Sequence, residues 1–183
     1  DVLVTRDPKE ILAADKVVLP GVGSFGDAME NLHHFGLVPV IHQVVQEQTP
    51  FLGICLGLQL LFEKSEESPG VEGLGILKGE ILRIPAAEGL KIPHMGWNNI
   101  RFPNKGRLFA GVPEDAYVYF VHSYYLKAQD EKIVTATTEY GTHIHASVES
   151  GNLFACQFHP EKSSHVGLQI LKNFAKLEGK GGR

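Results

Sequence analysis

The sequence predicts an α/β fold with a largely parallel central sheet that carries some antiparallel strands. In the first half, short apolar strands alternate with helical segments, the arrangement of a parallel sheet with helical crossovers. In the second half, strands follow one another closely, as in an antiparallel meander. No internal repeat or linker divides the 183 residues, so residues 1–183 read as a single domain, in line with about 150 residues per domain.

The elements follow in order. Residues 2–4 are a short apolar run that reads as a strand. Asp7-Pro8-Lys9-Glu10 supplies a capping side chain, Pro at the first helical position and Glu at the third, and starts a helix that ends near Ala14. A buried-type strand over 16–19 stops at the Gly-rich segment Pro20-Gly21-Val22-Gly23. Residues 27–34 and 38–48 read as helices, the second with apolar Val40, Ile41, Val44 and Val45 at helical spacing. An apolar strand over 51–54 leads directly into a helix over 56–64, and an acidic loop over 66–75 follows. Strands are expected over 81–84, 117–121, 133–137, 144–148 and 154–158. A last helix begins near Ser163-Ser164 with Val166, Ile170, Leu171, Phe174 and Leu177 on one face, and 178–183 form a polar tail.

Composition excludes several classes. Lys plus Arg number 17 against 21 Asp plus Glu, a net charge of −4. A weakly acidic chain without a basic block is unsuited to nucleic acid. The longest near-apolar run, 51–62, is interrupted by Gln59 and falls short of the roughly 20 residues of a membrane span. Only Cys55 and Cys156 occur, which fits a reducing compartment, the cytoplasm, better than a secreted disulfide framework. Residues 1–6 lack the basic-then-apolar pattern of a signal peptide.

Three motifs carry chemistry. Gly53-Ile54-Cys55-Leu56-Gly57 lies between a predicted strand and helix, the context of a nucleophile elbow with Cys in place of Ser. Its glycines permit a sharp turn. The helix N-terminus is expected to lower the thiol pKa, and the Leu56 N–H to stabilise an oxyanion. The alternative is a structural buried Cys. Phe158-His159-Pro160-Glu161 closes a later strand. His159 can act there as general base and acid, with Glu161 fixing its tautomer; the alternative is a capped turn before the last helix. Pro20-Gly21-Val22-Gly23 also follows a strand and can turn backbone N–H groups toward an anion, or be an ordinary turn. Carboxyl ends of parallel strands share one crevice, so a fold can unite Cys55 and His159 across the chain. His143 and His145 share a strand face without a third metal ligand, so no metal is expected, and no cofactor. Cys156 reads as a small core residue.

Gly53-Ile54-Cys55-Leu56-Gly57-Leu58-Gln59 with Phe158-His159-Pro160-Glu161 resembles a class I (triad) glutamine amidotransferase. Pro20-Gly21-Val22-Gly23-Ser24-Phe25, Pro93-His94-Met95-Gly96-Trp97-Asn98 and His159-Pro160-Glu161-Lys162-Ser163-Ser164 are similar to one subfamily, the glutaminase subunit of imidazole glycerol phosphate synthase of histidine biosynthesis. The resemblance runs the length of the chain. It implies the three-layer amidotransferase fold, with the family's first βα unit absent ahead of Asp1. It also implies a heterodimer with a cyclase subunit of the (β/α)8-barrel type that receives ammonia released from L-glutamine.

The resemblance further implies a triad of Cys55, His159 and Glu161 and an oxyanion hole at Val22, Gly23 and Leu56. Substrate contacts would come from Gly21, Gln59, Glu67, Ser123 and Tyr124, with Glu67 meeting the α-ammonium group. Trp97 and Lys162 would lie at the partner interface. Taken alone, Glu67 reads as part of a solvated acidic loop and Trp97 as a core aromatic. Two rival functions also stay open, a different Cys hydrolase on a similar sheet and a non-catalytic interaction subunit. An α/β-hydrolase places its acid before its His, whereas Glu161 follows His159.

Overall fold

A computed structural model of the protein describes residues 1–180. Of the polar tail, residues 181–183 lie outside the described residues.

The strand expected over residues 2–4 does not form: Val2, Leu3 and Val4 are exposed coil. A strand needs a neighbour for its backbone groups, and none among the described residues pairs with this run. The first helix does form, as α1 (Pro8–Ala13), with the Asp7 carboxylate accepting the Lys9 N–H at 2.7 Å. Next come β1 (Val17–Leu19), α2 (Phe25–His34) capped by the Ser24 hydroxyl, and α3 (Leu37–Gln46). β2 (Phe51–Ile54) then runs into α4 (Leu56–Leu60).

Helix α4 ends at Leu60, short of the expected Lys64. The carbonyls of Leu60, Leu61, Phe62 and Glu63 accept N–H groups of Leu74, Leu77, Gly75 and Gly73 from the following loop. Those bonds draw the chain out of the helix and into β3 (Lys64–Ser65), which pairs in parallel with β4 (Gly79–Arg83).

The second half adds β5 (His94–Asn99), β6 (Tyr117–His122), β7 (Tyr124–Ala128), β8 (Val134–Glu139), β9 (His143–Ser150), β10 (Leu153–Cys156) and helix α5 (Ser164–Ala175). The main sheet runs β1-β2-β10-β9-β7-β4-β3, with β8 also on β9. β1, β2 and β10 are parallel, and the strands from β9 to β4 are antiparallel to their neighbours. β5 and β6 form a separate antiparallel pair.

Side-chain alternation divides the sheet between two cores. Phe51, Leu153 and Ala155 point into a core with α2, α3 and α4. Leu52, Phe154 and Cys156 point into a second core with α5 and the β5–β6 pair. The molecule therefore has three layers, helices, sheet, then helix plus β-pair. No helix among the described residues is long and apolar enough to cross a membrane.

The elbow after β2 depends on close approach. A Cβ at Gly57 would sit 2.0 Å from the Leu19 carbonyl oxygen, and one at Gly53 would sit 2.8 Å from the Gly57 carbonyl oxygen. Both obstacles are backbone and cannot rotate away. Gly57→Ala is expected to destabilise the protein by about 3 kcal/mol or more, at the severe end of single substitutions. Denaturant unfolding checks this; an unchanged midpoint would mean that β1 yields freely.

Candidate active site

The three motifs meet at the carboxyl ends of three neighbouring parallel strands. Leu19 pairs with Gly53, and Ile54 with Cys156. The Pro20–Gly23 segment, Cys55 and the residues after Cys156 therefore emerge side by side.

Cys55 sits at φ 55°, ψ −111°, a left-handed conformation rare for a side chain with a Cβ. Its N–H donates to the Cys156 carbonyl at 2.8 Å, which ties the elbow to β10. Cys55 is 8% exposed. Burial pushes the thiol up to about 11, against the lowering expected from the helix terminus. The Leu56 N–H and the Gln157 side chain act in the lowering direction and the Glu161 charge in the raising one. α4 is only five residues long, so its dipole does not outweigh desolvation. The thiol is thus neutral at rest, and any attack by this sulfur would require it to give up its proton.

A group able to take that proton, His159, lies three residues past the end of the next strand. β10 ends at Cys156 rather than continuing to Phe158, because the chain shifts partner: the Gln157 N–H still donates to Ala146 of β9, but the His159 N–H donates to Tyr119 of β6. The Ser163 hydroxyl donates to the His159 carbonyl at 2.6 Å and accepts the Tyr119 N–H at 3.0 Å. The backbone of His159 is thereby clamped. Its Nδ1 lies 2.7 Å from Glu161 Oε1. A carboxylate only accepts, so Nδ1 carries a hydrogen, and of the two neutral tautomers the one with its lone pair on Nε2 is selected. That Nε2 is the one buried side-chain polar atom without a partner among the described residues.

The Pro20–Gly23 segment packs on the elbow. A Cβ at Gly21 would touch the Leu56 Cβ at 3.2 Å. Val22 is exposed, and Gly23 adopts φ 95° with open space where a side chain would be. The Leu56 N–H faces the sulfur. Gln59 is buried, and its amide donates to the Tyr124 carbonyl at 3.1 Å and to Gln157 Oε1 at 3.0 Å. Ser123 joins β6 to β7 and Tyr124 opens β7, so their backbone borders the same place. Glu67 is not a freely solvated carboxylate: it accepts the Phe25 N–H at the first turn of α2 at 3.0 Å. Trp97 is 52% exposed on β5, edge-on to Tyr119, so it is no core aromatic. Lys162 is exposed beside Glu161.

Three residues here were not singled out from the sequence. Gln157 Nε2 donates to the Cys55 sulfur at 3.7 Å. Nδ1 of His94 lies 2.9 Å from Nε2 of His122, and Nδ1 of His122 lies 2.9 Å from the Tyr124 carbonyl. The signal for Gln157 was its place two residues before His159; for His122, its place next to Ser123. Of the histidines weighed for metal, His145 accepts the Ala128 N–H and His143 pairs with Glu139.

Burial pushes both His94 and His122 down from 6.5 to about 4. Between those values the unfolded chain binds protons that the folded one refuses, so stability rises with pH across the window. The protein is expected to hold full stability above about pH 6.5 and to lose it progressively toward pH 4, each pKa unit being worth about 1.4 kcal/mol. Denaturant titrations at about pH 7.5 and about pH 5 test this, and equal free energies would contradict the neutral pair.

An elbow Cys, a His with an unpartnered Nε2 and a carboxylate on Nδ1 are the parts that cysteine-dependent acyl-transfer enzymes use. The family description Glutamine amidotransferase class-I matches residues 2–177. The imidazole glycerol phosphate synthase subunit HisH of Moorella thermoacetica is 58% identical over 174 residues, covering 95% of this chain and 82% of that protein. The subunit of the same name from Methanocaldococcus jannaschii is 48% identical over 176 residues, covering 96% and 87%. Among solved structures, a glutamine amidotransferase aligns with a TM-score of 0.68 at 19% identity, covering 93% of this chain and 85% of that one. The glutaminase domain of Trypanosoma brucei CTPS, with bound acivicin, aligns at 0.64 and 19%, covering 93% and 75%. The chain belongs to the class I glutamine amidotransferases and, within them, to the HisH subunits of imidazole glycerol phosphate synthase.

Proposed function

We propose that this chain is a single glutaminase domain that hydrolyses L-glutamine to glutamate and ammonia and passes the ammonia to a cyclase partner making imidazole glycerol phosphate. The observation that carries the reading is the buried, unpartnered Nε2 of His159, on the segment that follows the strand neighbouring the elbow Cys, with its Nδ1 on Glu161.

Each step uses groups already placed. The Cys55 thiol gives its proton to His159 Nε2 as the sulfur bonds to the side-chain amide carbon of glutamine. The carbonyl becomes an oxyanion facing the Leu56 N–H and the Val22–Gly23 backbone. Protonated His159 then gives the proton to the leaving nitrogen, the C–N bond breaks, and ammonia departs from a γ-glutamyl thioester. Water, losing a proton to the same Nε2, attacks the thioester, and collapse releases glutamate and restores the thiol. Gly21, Gln59, Glu67 and the Ser123–Tyr124 backbone hold the amino acid, and no metal or cofactor enters the scheme. Free ammonia at neutral pH protonates and ceases to be a nucleophile, so a private route to the acceptor is required. The partner is a (β/α)8-barrel cyclase in a cytoplasmic heterodimer, meeting exposed Trp97 and Lys162.

The flexible glycine segment gives the partner a lever. Peptide planes at Val22–Gly23 rotate at little steric cost, and one missing oxyanion donor costs about 10²–10³ in rate. Glutamate release is therefore expected to be slow for the chain alone and about 10²–10³ faster with the cyclase and its nucleotide ligand. Equal rates in both conditions would reject this gating, and no release in either would overturn the glutaminase reading.

A further inference from the structure

Two histidines that the reaction scheme does not use are tied to the site by a continuous run of hydrogen bonds, exposed only at its far end and buried or partly buried from His94 inward. Backbone groups fix the direction of every bond in it. At the β5 end, Asn98 Oδ1 accepts the Asn99 N–H at 2.9 Å and Asn98 Nδ2 donates to the Glu139 carbonyl at 3.0 Å, which sets the amide. That Nδ2 also lies 3.3 Å from His94 Nε2, which must therefore accept. His94 Nδ1 then carries hydrogen and donates to His122 Nε2. His122 Nδ1 in turn donates to the Tyr124 carbonyl, which can only accept. Reasoned from either end, the two tautomers agree.

The Tyr124 carbonyl takes a second hydrogen bond from Gln59 Nε2. Because that nitrogen also donates to Gln157 Oε1, the Gln157 amide is left with its Nε2 toward Cys55 Sγ. His94 is held between the rings of Phe120, at 4.7 Å, and Tyr140, at 3.9 Å, so it has little room to rotate. Both imidazoles are buried.

We infer that His94 and His122 form a positioning pair: in these fixed tautomers they orient the Ser123–Tyr124 backbone of the glutamine pocket and, through Gln59 and Gln157, the amide N–H aimed at the Cys55 sulfur. Neither touches the reacting atoms. A plain aromatic pair would fill the same volume, but would leave the Tyr124 carbonyl with one donor instead of two, so that the Ser123–Tyr124 backbone, and the Gln59–Gln157 amides that hang on its carbonyl, would be held less firmly. A turned Gln157 would present an oxygen to the sulfur, repelling the thiolate it now favours.

The inference rests on glutamine hydrolysis as the activity, so the experiment has one readout that needs no glutamine. His122→Ala removes the donor, while His122→Asn offers a side-chain N–H where Nδ1–H stood. Each is assayed with the cyclase for the KM and kcat of glutamate release, and each is treated with iodoacetamide below its melting temperature, with Cys55 modification followed by peptide mass spectrometry. His122→Ala is expected to raise KM about tenfold, more than it lowers kcat, and to slow Cys55 alkylation several-fold; His122→Asn is expected to recover most of both. Gln157→Glu, which puts an oxygen in place of the N–H facing the sulfur, is expected to slow alkylation about tenfold, and it serves the same purpose if His122→Ala fails to fold. A folded His122→Ala with unchanged KM and alkylation, a His122→Asn no better than the Ala variant, or normal alkylation in Gln157→Glu would each overturn the pair's role. Altered alkylation in a protein that never releases glutamate would instead sink the activity and leave the pair standing.

Discussion

Cys55→Ala is expected to abolish glutamate release, a loss of about 10⁴-fold or more, while the protein stays folded and keeps its partner. The nucleophile is irreplaceable, because the remaining oxyanion donors and His159 have no thioester to form or break. Ala retains a Cβ, so the left-handed backbone at φ 55° is occupied as before and the elbow is not disturbed. The parallel substitution Cys156→Ala removes a sulfur that is fully buried in the core between sheet and α5. It is expected to cost stability but little chemistry. The measurement is steady-state glutamate release with cyclase present, together with co-purification of the two subunits. Substantial turnover by Cys55→Ala, or an equal loss at Cys156, would mean that the wrong thiol carries the reaction.

His159→Ala should come next in severity, and Glu161→Gln should be milder. With the thiol pushed up to about 11, almost none is ionised at neutral pH, so attack depends on a base at the moment of reaction. Loss of that base removes the acceptor for the thiol proton and the donor for departing ammonia in one change. Glu161 acts one step back. Its carboxylate orients the ring and stabilises the imidazolium, but its side chain is 48% exposed, so water screens the charge. Gln at 161 still offers an oxygen to Nδ1–H. The loss should therefore stay below the roughly 10⁴-fold that follows when a fully buried orienting carboxylate is neutralised. A Glu161→Gln protein as active as the parent would remove Glu161 from the triad.

What was legible in the sequence was local. The elbow could be read because Gly53 and Gly57 bracket a Cys between an apolar strand and a helix, and the backbone contacts of both glycines explain why no other residue fits. Asp7-Pro8 announced its helix through capping chemistry, whereas the Ser24 cap that starts α2 two residues ahead of the expected residue 27 went unread. What failed depended on distant partners. Residues 2–4 have every local mark of a strand and pair with nothing. β5 was missed because His-Met-Gly-Trp-Asn-Asn has little strand character of its own, and its pairing with β6 supplies the order. β7 was missed although Tyr124 and Tyr125 favour a strand, because only Ser123 separates it from β6 and its limits are set by pairing with β4 and β9. The thiol's pKa was misjudged because a helix start is visible in sequence, whereas the depth of burial is a property of the assembled layers.

The left-handed backbone at Cys55 has a consequence outside catalysis. Holding a residue with a Cβ in such a conformation costs about 1–3 kcal/mol, which glycine at that position would escape. A breeding scheme that rewarded heat resistance alone would therefore favour Gly at 55 and discard the nucleophile in the first useful step. Durability and chemistry ask for different residues at one position, so a ranking of variants by melting temperature would place inactive proteins at its head.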